Sequence, residues 1–183
     1  DHLYYCMEKI IDKSSYLKSI SNRNLKIYLM GKLVDNPLEH PIIRPSIEAM
    51  AETYELAVQE PELASVVSPY TGEAINRFLH IAQSSEDLYL QNKMQRKLGQ
   101  LTGTCFQRCV GMDAFNALHS VTYEIDEKYE SSYHLNFLNF LTEMHQSNLV
   151  VGGVISELLP RVKQLAKMAR AGGLSLTIDA EES

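Results

Sequence analysis

Residues 104–128 read TCFQRCVGMDAFNALHSVTYEIDEK, and this stretch gives the clearest indication of the fold. Thr104 is a residue type that caps helices. Through the first half of the stretch, apolar residues fall on nearly every side of a helix drawn through it. A helix of this composition is buried on most sides. We therefore expect one long helix from Thr104 to about Lys128, placed at the centre of a helical bundle.

Helices are also predicted on both sides of this central helix. Residues 45–59 show apolar side chains at the i, i+3, i+4 and i+7 spacing of one helix face. A second helix is expected from a cap at Ser84 or Ser85 to Gln100. A third is expected over residues 132–146. Its predicted inward side chains are Phe137, Phe140, Leu141 and Met144. The predicted fold class is therefore mainly α.

The last part of the chain has a different pattern. Gly152 and Gly153 mark a break, and a further helix is expected after Ser156. Residues 174–178 then alternate with period two, which is typical of a strand. A single terminal strand has no partner in an otherwise helical chain, so this segment does not fit the rest of the predicted fold.

Composition and charge limit the classes of function. The chain has 183 residues and a net charge of −6, which argues against a nucleic-acid surface. No apolar run reaches the roughly 18 to 20 residues of a membrane-spanning helix, and no secretory signal is visible. The three cysteines, Cys6, Cys105 and Cys109, are expected to be reduced thiols. We therefore expect a cytoplasmic protein with neither nucleic-acid nor membrane partners.

Cys105 and Cys109 are the residues most suited to chemistry. On a helix, side chains four residues apart have Cβ atoms about 5–6 Å apart, whereas a disulfide needs about 3.8 Å. That separation suits two thiolates bound to neighbouring irons of one cluster. Arg108 and the helix N-terminus would favour the thiolate form. From spacing alone, the alternative stands that both cysteines are simply small buried side chains.

The sequence around both cysteines, residues 99–126, is similar to the cluster-binding segment of the 4-hydroxybutyryl-CoA dehydratase family. Other segments fit the same family in the same order: residues 40–46, 53–57, 75–78, 83–88, 133–134 and 148–150. The resemblance covers roughly residues 16–154. It implies a fold like the N-terminal helical domain of acyl-CoA dehydrogenase-like flavoenzymes. The wider family includes the flavin-dependent 4-hydroxyphenylacetate 3-hydroxylases.

What the resemblance implies about function is specific. It implies FAD beside a [4Fe-4S] cluster, and conversion of 4-hydroxybutyryl-CoA to crotonyl-CoA with an accompanying vinylacetyl-CoA isomerase activity. It implies that Cys105 and Cys109 are two of the cluster ligands. Gln107 would lie near the same site as a catalytic residue in contact with cofactor or substrate. The expected partners are an acyl-CoA substrate and further copies of the chain in a homo-oligomer.

The sequence also departs from this family. The family's other two cluster ligands, a histidine and a third cysteine, lie far downstream in a part that has no counterpart here, as does a β-rich middle domain. Residues 155–183 instead resemble a helix and strand of proline dehydrogenase. We expect three parts: an unassigned segment, 1–15; the helical domain, 16–154; and this tail, 155–183. By itself the chain is predicted not to be an active dehydratase.

Two alternatives come from different classes. The chain could be a fragment of an FAD-dependent monooxygenase like the 4-hydroxyphenylacetate 3-hydroxylases, which have no cluster to bind. It could also be a non-catalytic helical assembly module in which the cysteines only pack. The histidines show no metal-binding spacing, and the acidic residues near the end of the central helix are expected to form a solvated face. That acidic group is Glu124, Asp126, Glu127 and Glu130.

Overall fold

The computed structural model describes residues 8–150, except 22, 24, 25 and 105–107. Within these ranges lie six α-helices: α1 (Lys13–Ser21), α2 (Arg44–Gln59), α3 (Pro61–Ala64), α4 (Ser85–Thr102), α5 (Arg108–Tyr129) and α6 (Tyr133–Ser147). Four short strands accompany them: β1 (Ile27–Leu29), β2 (Lys32–Val34), β3 (Ser65–Val67) and β4 (Ala74–Asn76). The mainly α class is confirmed. The predicted terminal strand, residues 174–178, lies outside the described residues.

Three helices agree closely with their sequence predictions. α2 ends at Gln59 as expected, and Met50, Ala51 and Tyr54 on its predicted apolar face are buried. The N-cap of α4 is Ser84, whose Oγ accepts a hydrogen bond from the Asp87 backbone N–H. α6 covers the predicted range. Amphipathic patterns with clear capping residues therefore located these elements correctly.

The four strands form two small antiparallel hairpins that the sequence did not predict. β1 pairs with β2 in the register Tyr28 with Leu33, and β3 pairs with β4 in the register Val66 with Ile75. The tip of the first hairpin is Met30-Gly31, both with positive φ. Strands of three residues are too short to show a period-two pattern, and methionine is not a usual signal for such a turn.

Buried apolar side chains form two clusters. The first cluster joins α2, α3 and α4 to the start of α5; its members are Ile10, Tyr54, Leu56, Leu63, Ala64, Phe78, Met94, Leu98, Met112, Leu149 and Val150. The second cluster joins α5 and α6 to β4 and the residues that follow it; its members are Ile75, Leu79, Ile81, Phe115, Phe137 and Leu141. Both clusters contain residues of α5, so this helix connects them.

The burial of α5 differs from its prediction. Its buried residues lie on one side: Arg108, Gly111, Met112, Phe115 and Thr122. On the other side Asp113, Ala117 and Ser120 are exposed, and Val110 is 41% exposed. The prediction that α5 is buried on most sides is wrong for the described part of the chain, because α6 and a 3-10 turn at Arg77–Leu79 pack against one side of it.

The beginning of α5 is only partly described. Thr104, the predicted cap, is not helical, and the described helix begins at Arg108. The three residues between them, 105–107, lie outside the described residues. The helical relation between Cys105 and Cys109 therefore stays a prediction.

Candidate functional site

The candidate site is the corner between α4 and α5, where the cysteine motif begins. Gly103 ends α4 with φ of 69°, a left-handed conformation that glycine adopts readily, and its N–H donates to Gly99 O at 2.9 Å. Thr102 Oγ1 donates to Leu98 O at 2.7 Å. These bonds end the helix sharply, so that Thr104 leads directly into the motif.

Arg108, the first residue of α5, is buried at this corner with 2% of its surface exposed. Its Nη1 donates to Ala49 O at 2.8 Å and to Thr53 Oγ1 at 2.9 Å, both on α2. Its Nη2 donates to Thr104 O at 2.9 Å. A buried cation needs such partners to compensate for lost hydration. Arg108 therefore connects the corner to α2.

Cys109 follows Arg108 in the first turn of α5. Its side chain is half-buried and packs against the first core cluster. This is the one predicted site residue that the structure describes, since Cys105 and Gln107 lie outside the described residues. Its surroundings agree with the packing role that spacing alone left open, and the residue as a whole is only partly buried.

The donors present fit part of an iron–sulfur ligand set. Cysteine thiolates are the usual ligands of such clusters, and Cys109 lies in the first turn of α5, directly after the buried Arg108. A cluster needs four ligands, whereas among the described residues no three histidine, cysteine, aspartate or glutamate side chains come together as a metal site. The chemistry of the donor is therefore suitable, and the donor set in the described part of the chain is incomplete.

A cleft of about 340 Å³ lies beside the corner, between α1, α2 and the end of α4. Its walls include Ala49 and Thr102, which also contact Arg108. At its rim Lys13 Nζ lies 2.5 Å from Glu48 Oε2. Hydrogen bonding to Glu48 raises the pKa of Lys13, and the same bond lowers the pKa of Glu48. The cleft thus has the Lys13–Glu48 ion pair at its rim and is lined on another side by the end of α4, next to the cysteine motif.

A buried polar network behind the corner was missed at the sequence level. Thr53 O accepts from Asn76 Nδ2 at 2.9 Å, and Asn76 N–H donates to Asn148 Oδ1 at 2.7 Å. Asn148 Nδ2 in turn donates to Ile10 O at 2.7 Å. These residues are distant in sequence, so no local spacing could indicate them. Of these residues, only Asn148 could have been recognised from sequence, because asparagine is common in the left-handed conformation that ends a helix, as it does after α6.

No helix in the described ranges is both long and apolar enough to cross a membrane.

Comparison with known proteins places this chain among relatives of known chemistry. Residues 12–165 match the family model described as 4-hydroxyphenylacetate 3-hydroxylase N terminal. A 4-hydroxybutyryl-CoA dehydratase/vinylacetyl-CoA-Δ-isomerase of Clostridium aminobutyricum is 46% identical over 151 residues, which are 81% of this chain and 31% of that protein. The chain thus spans less than a third of that relative's length.

A solved structure is similar as well. It is an oxygen-tolerant archaeal 4-hydroxybutyryl-CoA dehydratase from N. maritimus, with a TM-score of 0.73 and 61% sequence identity. The matched region covers 78% of this chain and 28% of that one.

Proposed function

The chain belongs to the family defined by the N-terminal domain of 4-hydroxyphenylacetate 3-hydroxylase, and from this membership we propose that it is the N-terminal helical portion of a 4-hydroxybutyryl-CoA dehydratase. The resemblance predicted from its sequence segments is confirmed, and the chain is related to 4-hydroxybutyryl-CoA dehydratases. The observation that carries the proposal is the identity of 46% and 61% to two proteins named for this activity.

The proposed reaction of the whole protein removes water from 4-hydroxybutyryl-CoA to give crotonyl-CoA, and it includes isomerisation of vinylacetyl-CoA. When bound, FAD exchanges electrons and a [4Fe-4S] cluster supplies a Lewis acid for the substrate hydroxyl group. Both groups are part of the proposal. The substrate class, an acyl-CoA, comes from the names of the relatives.

Within this chain, Cys105 and Cys109 are proposed as two cluster ligands. Gln107, between them in sequence, is proposed to contact cofactor or substrate. The partial burial of Cys109 in the first turn of α5 is compatible with this assignment. The other two ligands are proposed to belong to a downstream region absent from residues 16–154.

We therefore propose that the chain does not catalyse dehydration alone. Residues 16–154 form the dehydratase-like helical domain in this proposal, with residues 1–15 unassigned and residues 155–183 a tail of different origin. Both relatives carry the dehydratase name, and neither favours the monooxygenase alternative.

The proposal is tested by anaerobic reconstitution of the purified chain with iron, sulfide and an added thiol that completes the ligand set. We expect iron and sulfide to be retained, with the visible charge-transfer absorbance of thiolate-bound iron. Cys105→Ala and Cys109→Ala should each lower the iron retained and with it this absorbance, because each removes one of the two protein ligands.

Cys6→Ala is the matched control and should leave the absorbance unchanged. Retention of the signal in both Cys105→Ala and Cys109→Ala would show that the iron binds elsewhere. The absence of any signal in the unmodified chain would contradict the cluster-binding role.

A further inference from the structure

The β1–β2 hairpin presents apolar side chains to water. Tyr28 and Leu33 are cross-strand partners, so their side chains lie on the same face of the hairpin. Both are exposed, whereas Val34, which lies on the opposite face, is buried. At the tip, Met30 has φ of 50° and is 88% exposed. Three exposed apolar side chains within residues 28–33 form a patch, in contrast to the isolated exposed groups of an ordinary surface.

The same hairpin carries positive charge. Residues 26–34 contain two lysines and no acidic residue, although the chain as a whole has a net charge of −6. Lys26 and Lys32 are exposed, and neither takes part in an ion pair within the described part of the chain. The exposed apolar and basic residues together form what we term the hairpin surface: Lys26, Tyr28, Met30, Lys32 and Leu33.

Negative charge collects where α5 turns into α6. Residues 123–130 contain four acidic residues and one basic residue, Lys128. One of the acidic residues, Asp126, is used within the chain, since it accepts hydrogen bonds from residues 131–134. The other three are exposed and take part in no ion pair among the residues that the structure describes: Glu124, Glu127 and Glu130.

Exposed apolar side chains accompany these carboxylates. Tyr123 and Tyr129 in the last two turns of α5 are exposed, as is Leu135 in the first turn of α6. The ring of Tyr123 contacts that of His134, with centroids 5.5 Å apart, which places the two helix segments side by side. We term this group the acidic end: Tyr123, Glu124, Glu127, Tyr129, Glu130 and Leu135.

The two surfaces are complementary in charge and alike in apolar content. Both remain exposed in a single copy of the chain, so they do not cover each other within it. Contact between the hairpin surface of one copy and the acidic end of another would remove apolar side chains from water and pair lysines with glutamates. Two hairpin surfaces in contact would instead bring lysines together, and two acidic ends would bring glutamates together, which disfavours both alternatives.

We propose that the hairpin surface of one copy docks on the acidic end of a second copy. The contact joins two different surfaces, so each copy in a pair still has one of them open for a further copy. Interfaces of this kind produce rings or growing chains. The inference is independent of the proposed function, because it involves no residue of the cysteine segment.

The test begins with two charge-reversed variants of the full chain, each studied by sedimentation velocity at low ionic strength. One carries Lys26→Glu with Lys32→Glu, and the other carries Glu124→Lys with Glu127→Lys. Each change places like charges across the proposed contact. We expect the dissociation constant for self-association to rise about 10-fold or more in each variant. Circular dichroism checks that each variant is folded.

Mixing the two variants tests the pairing of the surfaces directly. At concentrations where each variant alone is monomeric, an equimolar mixture should associate again. The unaltered hairpin surface of one variant then meets the unaltered acidic end of the other, and the two reversed surfaces are also complementary. Mixing would not repair a variant that had only lost stability, so recovery separates a lost contact from a damaged fold.

A charge control lies on α4. Lys93→Glu with Arg96→Glu alters two exposed basic residues and changes the net charge by the same amount as the hairpin variant. Because neither residue belongs to the hairpin surface, this control should keep the dissociation constant of the unmodified chain. A loss as large as that of the hairpin variant would show that net charge controls association, and would overturn the proposal.

The apolar part of the contact has its own matched variants. Tyr28 and Leu33 are 65% and 51% exposed, while Tyr89 and Leu88 on α4 are 60% and 52% exposed. Tyr28→Ser with Leu33→Ser should weaken self-association, whereas Tyr89→Ser with Leu88→Ser should leave it unchanged. This comparison replaces the charge-reversed hairpin variant if that variant does not fold.

Other results would also overturn the proposal. If the acidic-end variant associates as strongly as the unmodified chain, the hairpin surface uses another partner, such as a second hairpin. If the mixture of variants stays monomeric, the two surfaces do not pair. If the unmodified chain is monomeric at every concentration, and binds anionic lipid vesicles that the hairpin variant does not bind, the hairpin surface serves a membrane instead of a second copy.

Discussion

His145 is almost fully buried and bonds through both of its ring nitrogens. Nδ1 lies 2.8 Å from Ser68 Oγ, and Nε2 lies 3.0 Å from Leu79 O. A carbonyl oxygen can only accept, so Nε2 carries the proton and Nδ1 accepts from the Ser68 hydroxyl. Burial lowers the pKa of His145, although the bond to Leu79 O acts against it. His145 is therefore a neutral side chain that connects α6 to the loops around β3 and β4.

His119 on α5 is a second histidine held in a partly buried position. Its ring centroid is 5.0 Å from that of His134 and 6.3 Å from that of Phe137, both on α6. Burial lowers the pKa of His119, and the neighbouring His134 acts in the same direction. Protonation of His119, which lies where α5 contacts α6, is therefore disfavoured.

These two histidines predict a pH dependence of stability. Above the ordinary histidine pKa of about 6.5, both are neutral in the folded and unfolded states. As the pH falls below that value, the unfolded chain binds protons that the folded chain does not, so the free energy of unfolding should decrease. Urea unfolding at pH 7.5 and pH 5.5 measures this decrease.

His119→Gln should make the decrease between these two pH values smaller. Ser120→Gln, a change that adds no titratable group at an exposed position of α5, should leave it unchanged. An equal pH dependence in His119→Gln and the unmodified chain would show that His119 does not contribute to it.

The hydrogen bonds of Asp126 could not be predicted from the sequence. The acidic stretch was predicted to be a solvated face, yet Asp126 accepts hydrogen bonds from Ser131 Oγ at 2.6 Å, from Tyr133 N–H at 2.9 Å and from His134 N–H at 2.8 Å. Although desolvation acts against it, these bonds lower the pKa of Asp126. The carboxylate caps α6 from the neighbouring helix, a contact across a turn that no spacing rule describes.

At the level of the elements, the start of α4 gives a local test. Ser84 Oγ accepts from Asp87 N–H at 3.1 Å, and Asp87 Oδ2 accepts from Gln83 N–H at 3.0 Å. Ser84→Ala removes the first of these bonds and should lower the free energy of unfolding by about 1 kcal/mol, the usual contribution of a helix cap. Urea unfolding measures the difference.

The control is Ser85→Ala, one residue further on, inside the helix and exposed. It should change stability little, since alanine is the better helix former at that position. A Ser85→Ala loss as large as that of Ser84→Ala would contradict the capping role.

The elements that sequence predicted well share one property. α2, α4 and α6 are amphipathic, and a proline, serine or asparagine marks at least one end of each helix. The two hairpins were missed because three-residue strands show no periodicity. The burial of α5 was predicted wrongly because composition shows only which residues can be buried. Which of them are buried depends on the elements that pack against the helix. For the site, spacing gave a possible cysteine pair and resemblance gave its chemistry; neither could indicate the contacts of Arg108.

At the scale of the whole molecule, α5 leaves apolar surface uncovered in the described part of the chain. Val110, Tyr123 and Tyr129 are 41%, 54% and 48% exposed. Contact with a second copy of the chain would remove such side chains from water. We propose that the chain forms homo-oligomers through this helix, and size-exclusion chromatography with light scattering should show a mass above 20.7 kDa that rises with concentration.

The double change Val110→Lys with Tyr123→Lys should shift the chain toward the monomer. Ile42→Lys alters an apolar residue away from α5 that is more exposed, at 60%, and should not produce this shift. A monomer at all concentrations for the unmodified chain would contradict the proposed association.

The contacts of Arg108 have a consequence for protein design. A five-residue cysteine motif looks portable, and it would be natural to copy it onto another helix pair. Its arginine, however, is bonded to Ala49 and Thr53 in a helix more than fifty residues earlier and to Thr102 at the preceding helix end. A scaffold that accepts only the motif would receive a buried guanidinium without these acceptors, so the smallest unit that can be transplanted is three helix segments with their shared arginine.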